Sequence, residues 1–227
     1  MTKLLSLLQI CDSNFPSGAF SHSFGLETYI YEQKVYDAET FSHLLEAYMR
    51  TQIAYTDGLA CRIAYECVQN KQVEKLWELD TILSSLMLAR ETREGNRRIG
   101  AQMVKLFCNL YESELLQQYK DRIRKKELSG HSALAFAIVC SEIGIDRHET
   151  LASYLFSSIQ SLIQNGVRAI PLGQTDGQRL LLHMQPVMEE IAGQIEMSSE
   201  EELGQSAPGL EIAQMRHEQL SVRLFMS

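Results

Sequence analysis

At 227 residues, with 45% apolar and 22% charged side chains, the chain is long enough to bury a sizeable core and too apolar to stay disordered. Its 29 acidic residues against 21 basic ones leave a formal net charge of −8, which argues against a general nucleic-acid or anionic-membrane binder. Five cysteines at irregular spacing, Cys11, Cys61, Cys67, Cys108 and Cys140, point to reduced thiols in a cytosolic protein and not to a disulfide framework.

The first segment, "MTKLLSLLQICDSNF", reads as a short core helix. Gln9 and Asp12 interrupt its apolar run and no small-residue cleavage site follows, so a signal peptide is a poor match. No apolar run has the length of a membrane span. The next stretch, "NFPSGAFSHSFGLE", breaks the helical pattern with Pro16, two glycines, one histidine and three phenylalanines. Such a loop suits a docking surface better than a connector: Phe15, Phe20 and Phe24 supply apolar anchors, Pro16 and Gly18 an irregular backbone, and Ser17, Ser21 and His22 hydrogen bonds.

From Asp37 onward helices follow one another. Phe41, Leu44, Leu45, Tyr48 and Met49 recur at three-and-four spacing, as do Leu59, Ile63, Cys67 and Val68. The same spacing links Leu76, Leu79, Ile82, Leu83 and Leu86, and then Met103, Leu106, Phe107 and Leu110. The basic run "YKDRIRKKELSGHSA" is a solvated helix end broken at Ser129-Gly130, because one aromatic among its charges is too few for a nucleic-acid site. "LAFAIVCSEIGI" is apolar nearly all round, which predicts a helix enclosed by others. The next helix buries Leu151, Leu155, Ile159, Leu162 and Ile163, flanked by serines at 153, 157, 158 and 161 that are compatible with an oligomer seam.

Pro171 and Gly173 interrupt the pattern again, and Thr175 or Asp176 caps the helix that follows. "EMSSEEELGQSAPGL" reads as a flexible acidic linker. A terminal amphipathic segment then offers Leu210, Ile212, Met215, Leu220, Leu224 and Phe225 to its own body or to a partner. The predicted fold is therefore all-α: a single-domain bundle of about ten helices over residues 1–197, with a linker and docking tail over 198–227.

Reactive chemistry is sparse. No phosphate-cradling glycine loop and no dinucleotide fingerprint occurs. Cys61 and Cys67 lie on different helix faces, and no two of the six histidines sit at i, i+4, so neither a metal site nor a cofactor is predicted. Ser17, Ser21 or Ser23 beside His22 lacks the strand-turn-helix setting of a nucleophile elbow. The chain is not expected to be an enzyme.

Three motifs in order, "LLQICDSNFPSGAFSHSFGLETYI", "PLGQTDGQRLLL" and "MRHEQLSVRLFMS", resemble the UreF family of urease accessory proteins along nearly the whole chain. The resemblance implies an all-helical, non-catalytic dimer that binds the accessory protein UreD (UreH) and recruits the GTPase UreG, whose hydrolysis it is expected to influence. The assembly would insert nickel into apo-urease, which makes the chain a cytoplasmic nickel-insertion chaperone with no nucleic-acid or membrane role. The resemblance also implies a C-terminal tail that orders on UreD binding, with Arg223 as its polar anchor beside Leu224 and Phe225. Phe20 stands where some relatives carry tyrosine, so a cation–π contact from Arg223, about 0.5–1 kcal/mol, replaces a phenol hydrogen bond. Arg168 matches a basic position on the UreG-receiving face, while Glu27 and Asp176 are expected as surface residues that tune the complex. The competing reading is a nickel carrier using His22 and the cysteines.

Overall fold

The computed structural model describes residues 2–227, and among them eleven α-helices and no strand are found. They are α1 (Thr2–Ile10), α2 (Leu26–Tyr31), α3 (Ala38–Tyr48), α4 (Leu59–Gln69), α5 (Val73–Leu86), α6 (Arg90–Leu110), α7 (Glu114–Arg124), α8 (Ser132–Glu142), α9 (Arg147–Ala169), α10 (Gln174–Met197) and α11 (Pro208–His217). The all-α expectation holds, and so does the enclosed helix: every residue of α8 from Ala133 to Ser141 is buried, wrapped by α4, α6, α7 and α9.

Side-chain caps set several helix starts. Asp37 accepts the Thr40 N–H at 2.8 Å to open α3, Ser113 accepts the Leu116 N–H to open α7, and Asp146 accepts the Glu149 N–H to open α9. Asp176 works from inside the first turn of α10, accepting the Gly173 N–H at 3.2 Å and pairing with Arg179. Two predicted stripe residues, Ile82 and Leu110, lie about half exposed at the edges of their faces.

The larger departure is at the N-terminus. The apolar run predicts a core helix, yet in α1 only Ile10 is buried, and Leu4, Leu5 and Leu8 are each about 60% exposed. The helix rides on the outside of the bundle through Lys3, which donates to the Gly144 carbonyl, and Cys11 near the Ser153 carbonyl. One face of α1 is therefore left uncovered.

Between α3 and α4 the chain continues as a π-helix over Met49–Gly58. Its wider turn is a rare backbone form that concentrates at functional sites, and it brings Gln52, Thr56 and Asp57 to a pocket of about 140 Å³. Ser157, Ser158 and Ser161 of α9 are half-buried and line the same pocket.

The junction of α5, α6 and the turn before α8 is organised by one buried carboxylate. Asp80 accepts hydrogen bonds from the Tyr119 hydroxyl, the Ser129 N–H at 2.7 Å and the Gly130 N–H at 3.0 Å, and the Tyr119 oxygen in turn accepts the His131 N–H. Burial first, and then the charge of Asp80, push the Tyr119 phenol well above its ordinary range, so it remains a donor. This turn presses against α6 at Gly100, where a Cβ would lie 2.6 Å from the Gly130 carbonyl carbon and oxygen. Both contacts are backbone and cannot swing aside. Gly100→Ala is therefore expected to lose about 1–3 kcal/mol of stability, read as a lower urea midpoint at unchanged slope.

The acidic stretch after α10 is held along the body. Lys75 bonds Glu200 at 2.7 Å, the Gly204 N–H donates to the Tyr55 carbonyl, and Leu203 packs on the core. It delivers α11 onto α2 and α6.

Candidate functional site: a loop and tail latch

The loop between α1 and α2 is anchored before it is put to use. Phe15 sets its ring 5.5 Å from that of Phe107, and the Pro16 carbonyl accepts from Gln102 at 3.3 Å. Ser17 accepts a 3.4 Å bond from the Ala19 N–H. Gly18, at φ +90°, takes a left-handed turn that a side chain would resist, and the 3₁₀ turn Ala19–Ser21 follows. That turn throws Phe20 outward, 64% exposed, while His22 and Ser23 turn in and are buried. Asn165 of α9 fixes the inward step by donating to the His22 carbonyl at 2.7 Å. Gly95 of α6 leaves room for the imidazole, since a Cβ there would sit 2.7 Å from His22 Nδ1.

Onto this loop the C-terminal tail closes. Thr28 of α2 donates to the Ala213 carbonyl at 2.8 Å, which seats α11. The chain then turns back, and the Met226 N–H donates to the Ser21 carbonyl at 2.8 Å. The Ser227 carbonyl oxygen accepts from the Ser23 N–H, the Phe24 N–H and the Ser23 hydroxyl, while its own hydroxyl lies 2.8 Å from His22 Nδ1. Alternate side chains of this extended segment point in and out, as they do along a strand. Phe225 is buried, whereas Val222, Leu224 and Met226 are 79%, 52% and 53% exposed.

Glu27 is the hub of the arrangement. It was expected at the surface, but α2 carries it under the tail, where one oxygen accepts the Leu224 N–H at 2.5 Å. The other accepts the Phe225 N–H at 3.1 Å and faces His217 Nε2 at 2.9 Å. His217, fully buried, meets Glu91 of α6 through its other nitrogen at 2.7 Å. Arg223 docks on Glu91 as well, at 2.7 Å, and not on Phe20. A carboxylate offers the guanidinium a charge-assisted bond that a phenyl face does not match, which accounts for the difference from the expected cation–π contact. The cation–π pair that does form is Arg168 over Phe225, 5.2 Å from the ring centroid, and Arg168 also donates to the Phe20 carbonyl at 2.9 Å.

The electrostatics follow from these contacts. Burial pushes the Glu91 carboxyl up, but hydrogen bonds from His217 and Arg223 outweigh it and hold the group below its ordinary range. Burial, and then the nearby charges of Arg98 and His217, lower His22 below the usual imidazole value, which suits a neutral ring bonded to a hydroxyl. Thus Phe20, His22, Glu27, Arg168, Arg223, Leu224 and Phe225 converge on one site. Phe15, Pro16, Ser17 and Gly18 shape the loop that carries it, and Asp176 is spent on capping α10. Sequence reasoning passed over Glu91, Asn165 and His217. The last lay inside the quoted tail motif, where a histidine ten residues before the final serine carried no spacing signal.

Beneath the latch, His22, Phe24, Asn165 and Gln214 form part of the wall of the same pocket. Several hydroxyl and amide side chains line it, and Gln52 Oε1 and Asn165 Oδ1 are buried without a protein partner. No three His, Cys, Asp or Glu side chains among the described residues are placed to share a metal ion. Cys11, Cys61, Cys67 and Cys140 are buried, and burial pushes the Cys11 thiol up to about 12. Cys108 is the one cysteine that is partly exposed.

The model of the UreF family matches residues 35–185. The chain is 51% identical to the urease accessory protein UreF of Bacillus sp. (strain TB-90) over the full length of both. It is 53% identical to the UreF protein of Geobacillus kaustophilus and 50% identical to that of Lachnoclostridium phytofermentans, in each case over 99% of this chain and 98% of the relative. With half of all positions shared from end to end, and the loop and tail motifs meeting in one latch, the chain belongs to the UreF family of urease accessory proteins.

Proposed function

We propose that the chain is a non-catalytic scaffold that bridges UreD (UreH) and the GTPase UreG during insertion of nickel into apo-urease, with an influence on GTP hydrolysis by UreG. The observation that carries this reading is the outer face of the latch. Phe20, Val222, Leu224 and Met226 stand exposed together on a backbone already fixed by hydrogen bonds. The resemblance implies that this tail orders on UreD binding, and the docked arrangement is the form such a partner would hold, with the exposed apolar row as the surface it covers. Arg168 clamps the row from α9 and remains exposed, so a UreG contact through it would sense whether the tail is docked. The uncovered leucines of α1 supply a second apolar face and support a homodimer.

Co-purification with UreD, comparing the full chain with one truncated before Leu210, tests the reading. The truncated chain is expected to fail to retain UreD, and the ternary complex with UreG, GTP and nickel should not form. Undiminished assembly by the truncated chain would overturn the proposal.

A further inference from the structure

We propose that the pocket beside the π-helix is a binding site for a linear aliphatic diamine, a role that goes beyond the scaffold reading and does not rest on it. Its wall carries acceptors that the protein leaves unused. Asn165, 1% exposed, donates through Nδ2 to the His22 carbonyl at 2.7 Å, while its Oδ1 has no protein partner. Gln52 Oε1, from the π-helix, is likewise buried and unpartnered. A buried amide oxygen in that state costs free energy until a donor reaches it.

Asp57 gives the pocket its charge. Its Oδ2 accepts the Thr56 hydroxyl at 2.8 Å, but Oδ1 has only long contacts, 3.4 Å to the Tyr154 hydroxyl and 3.6 Å to His131 Nε2. His131 Nδ1 accepts the Ala133 N–H, so the ring's hydrogen sits on Nε2 and the imidazole adds no charge of its own. Glu211 of α11 brings a second carboxylate to the wall, and among the described residues that line the pocket there is no lysine or arginine. An anion would meet acceptors and negative charge there, whereas an ammonium carries three donors and no acceptor. A bare divalent cation fits less well, because no three His, Cys, Asp or Glu side chains among the described residues are placed to share one.

The shape selects a chain. Tyr154, Ser158, Ser161 and Asn165 follow one face of α9 at three-and-four spacing, and the step from Tyr154 to Asn165 covers about 16 Å of helix. A volume of about 140 Å³ drawn out over that length is narrow. Asp57 stands by Tyr154 at one end and the free oxygen of Asn165 lies at the other, while Leu83, Leu86, Met87, Ile99 and Met103 offer an apolar wall to the methylenes between. Asp57, Gln52 and Asn165 all belong to the helical body, so the three acceptors do not depend on where the C-terminal tail lies.

Isothermal titration of the full-length chain at neutral pH with 1,8-diaminooctane tests the assignment. Saturable one-to-one binding is expected, at least about tenfold weaker for 1,8-octanediol and absent for octanedioate, which share the length but not the charge. Asp57→Asn is expected to weaken diamine binding by roughly ten- to a hundredfold, the worth of a hydrogen bond to a charged group. Gln52→Leu removes an acceptor that has no protein partner, and should cost roughly two- to tenfold without harming the fold. No saturable binding of the diamine, equal binding of octanedioate, or wild-type affinity in both variants would each overturn the proposal. Displacement of the diamine by nickel chloride would also overturn it, by giving the pocket to a metal ion. Binding is read on this chain alone, so its failure leaves the scaffold reading standing, and loss of UreD on truncation does not bear on the pocket.

Discussion

Glu27→Ala is expected to free the C-terminal tail while leaving the helical body folded. The side chain accepts the Leu224 and Phe225 N–H groups and one nitrogen of His217, and it is largely shielded from water. Removing it strands two backbone donors and one nitrogen of a buried ring. Breaking a buried charged cluster by deleting one member costs about 3–5 kcal/mol. The tail alone bears that loss, so exchange protection of residues 219–227 should fall by roughly two to four orders of magnitude, with α8 unchanged. Glu27→Gln keeps one accepting oxygen and should fall between the two. If the scaffold reading holds, retention of UreD declines in the same order, from wild type through glutamine to alanine. Wild-type protection in the alanine variant would show that Phe225 and the Ser227 contacts hold the tail unaided.

Asp80→Ala is expected to strike the body itself. The carboxylate closes a buried set of three donors, the Tyr119 hydroxyl and the N–H groups of Ser129 and Gly130, and alanine leaves all three without an acceptor. Each orphaned buried group costs about 1–3 kcal/mol, and relaxation of the turn returns part of this, so a net loss of about 3–5 kcal/mol is expected. A domain with ordinary stability of about 5–15 kcal/mol would keep only part of it. Urea unfolding gives the measure: a lower midpoint at unchanged slope for Asp80→Ala, and a smaller shift for Asp80→Asn, which retains one acceptor. Equal midpoints for wild type and alanine would mean that the turn is held by the close contact of Gly100 and Gly130 alone.

The body of this protein is legible in its sequence because helix burial writes itself as a period. The stripes through Leu59 and Ile63, Met103 and Phe107, and Leu151 and Leu155 all lie in the core, and the uniformly apolar segment from Leu134 is the enclosed α8. Periodicity reports an apolar face but not what covers it, which is why the same logic misplaced Leu4, Leu5 and Leu8. The π-helix left no trace either, since its i→i+5 pattern differs from an α-helix by one residue per turn and Met49–Gly58 contains no breaker before Gly58. The latch was half legible. The odd composition of the opening loop and the apolar tail each announced a docking element, and the family resemblance joined them. Glu27 and His217 stayed hidden because each is one polar residue on a short helix, and only the meeting of segments about 190 residues apart gives them partners.

That separation bears on how the molecule comes into being. Ser23 leaves the ribosome early, and the 204 residues between it and Ser227 take roughly 10–40 s to make at about 5–20 residues per second. During that interval the helical body can assemble, but the groove lined by Ser21, Ser23 and Glu27 stands empty, with Phe24 and His22 uncovered on one side. Nascent chains of this protein therefore pass through a stage in which an unfilled hydrogen-bonding cleft waits for its own distal segment, open in that interval to any other extended peptide.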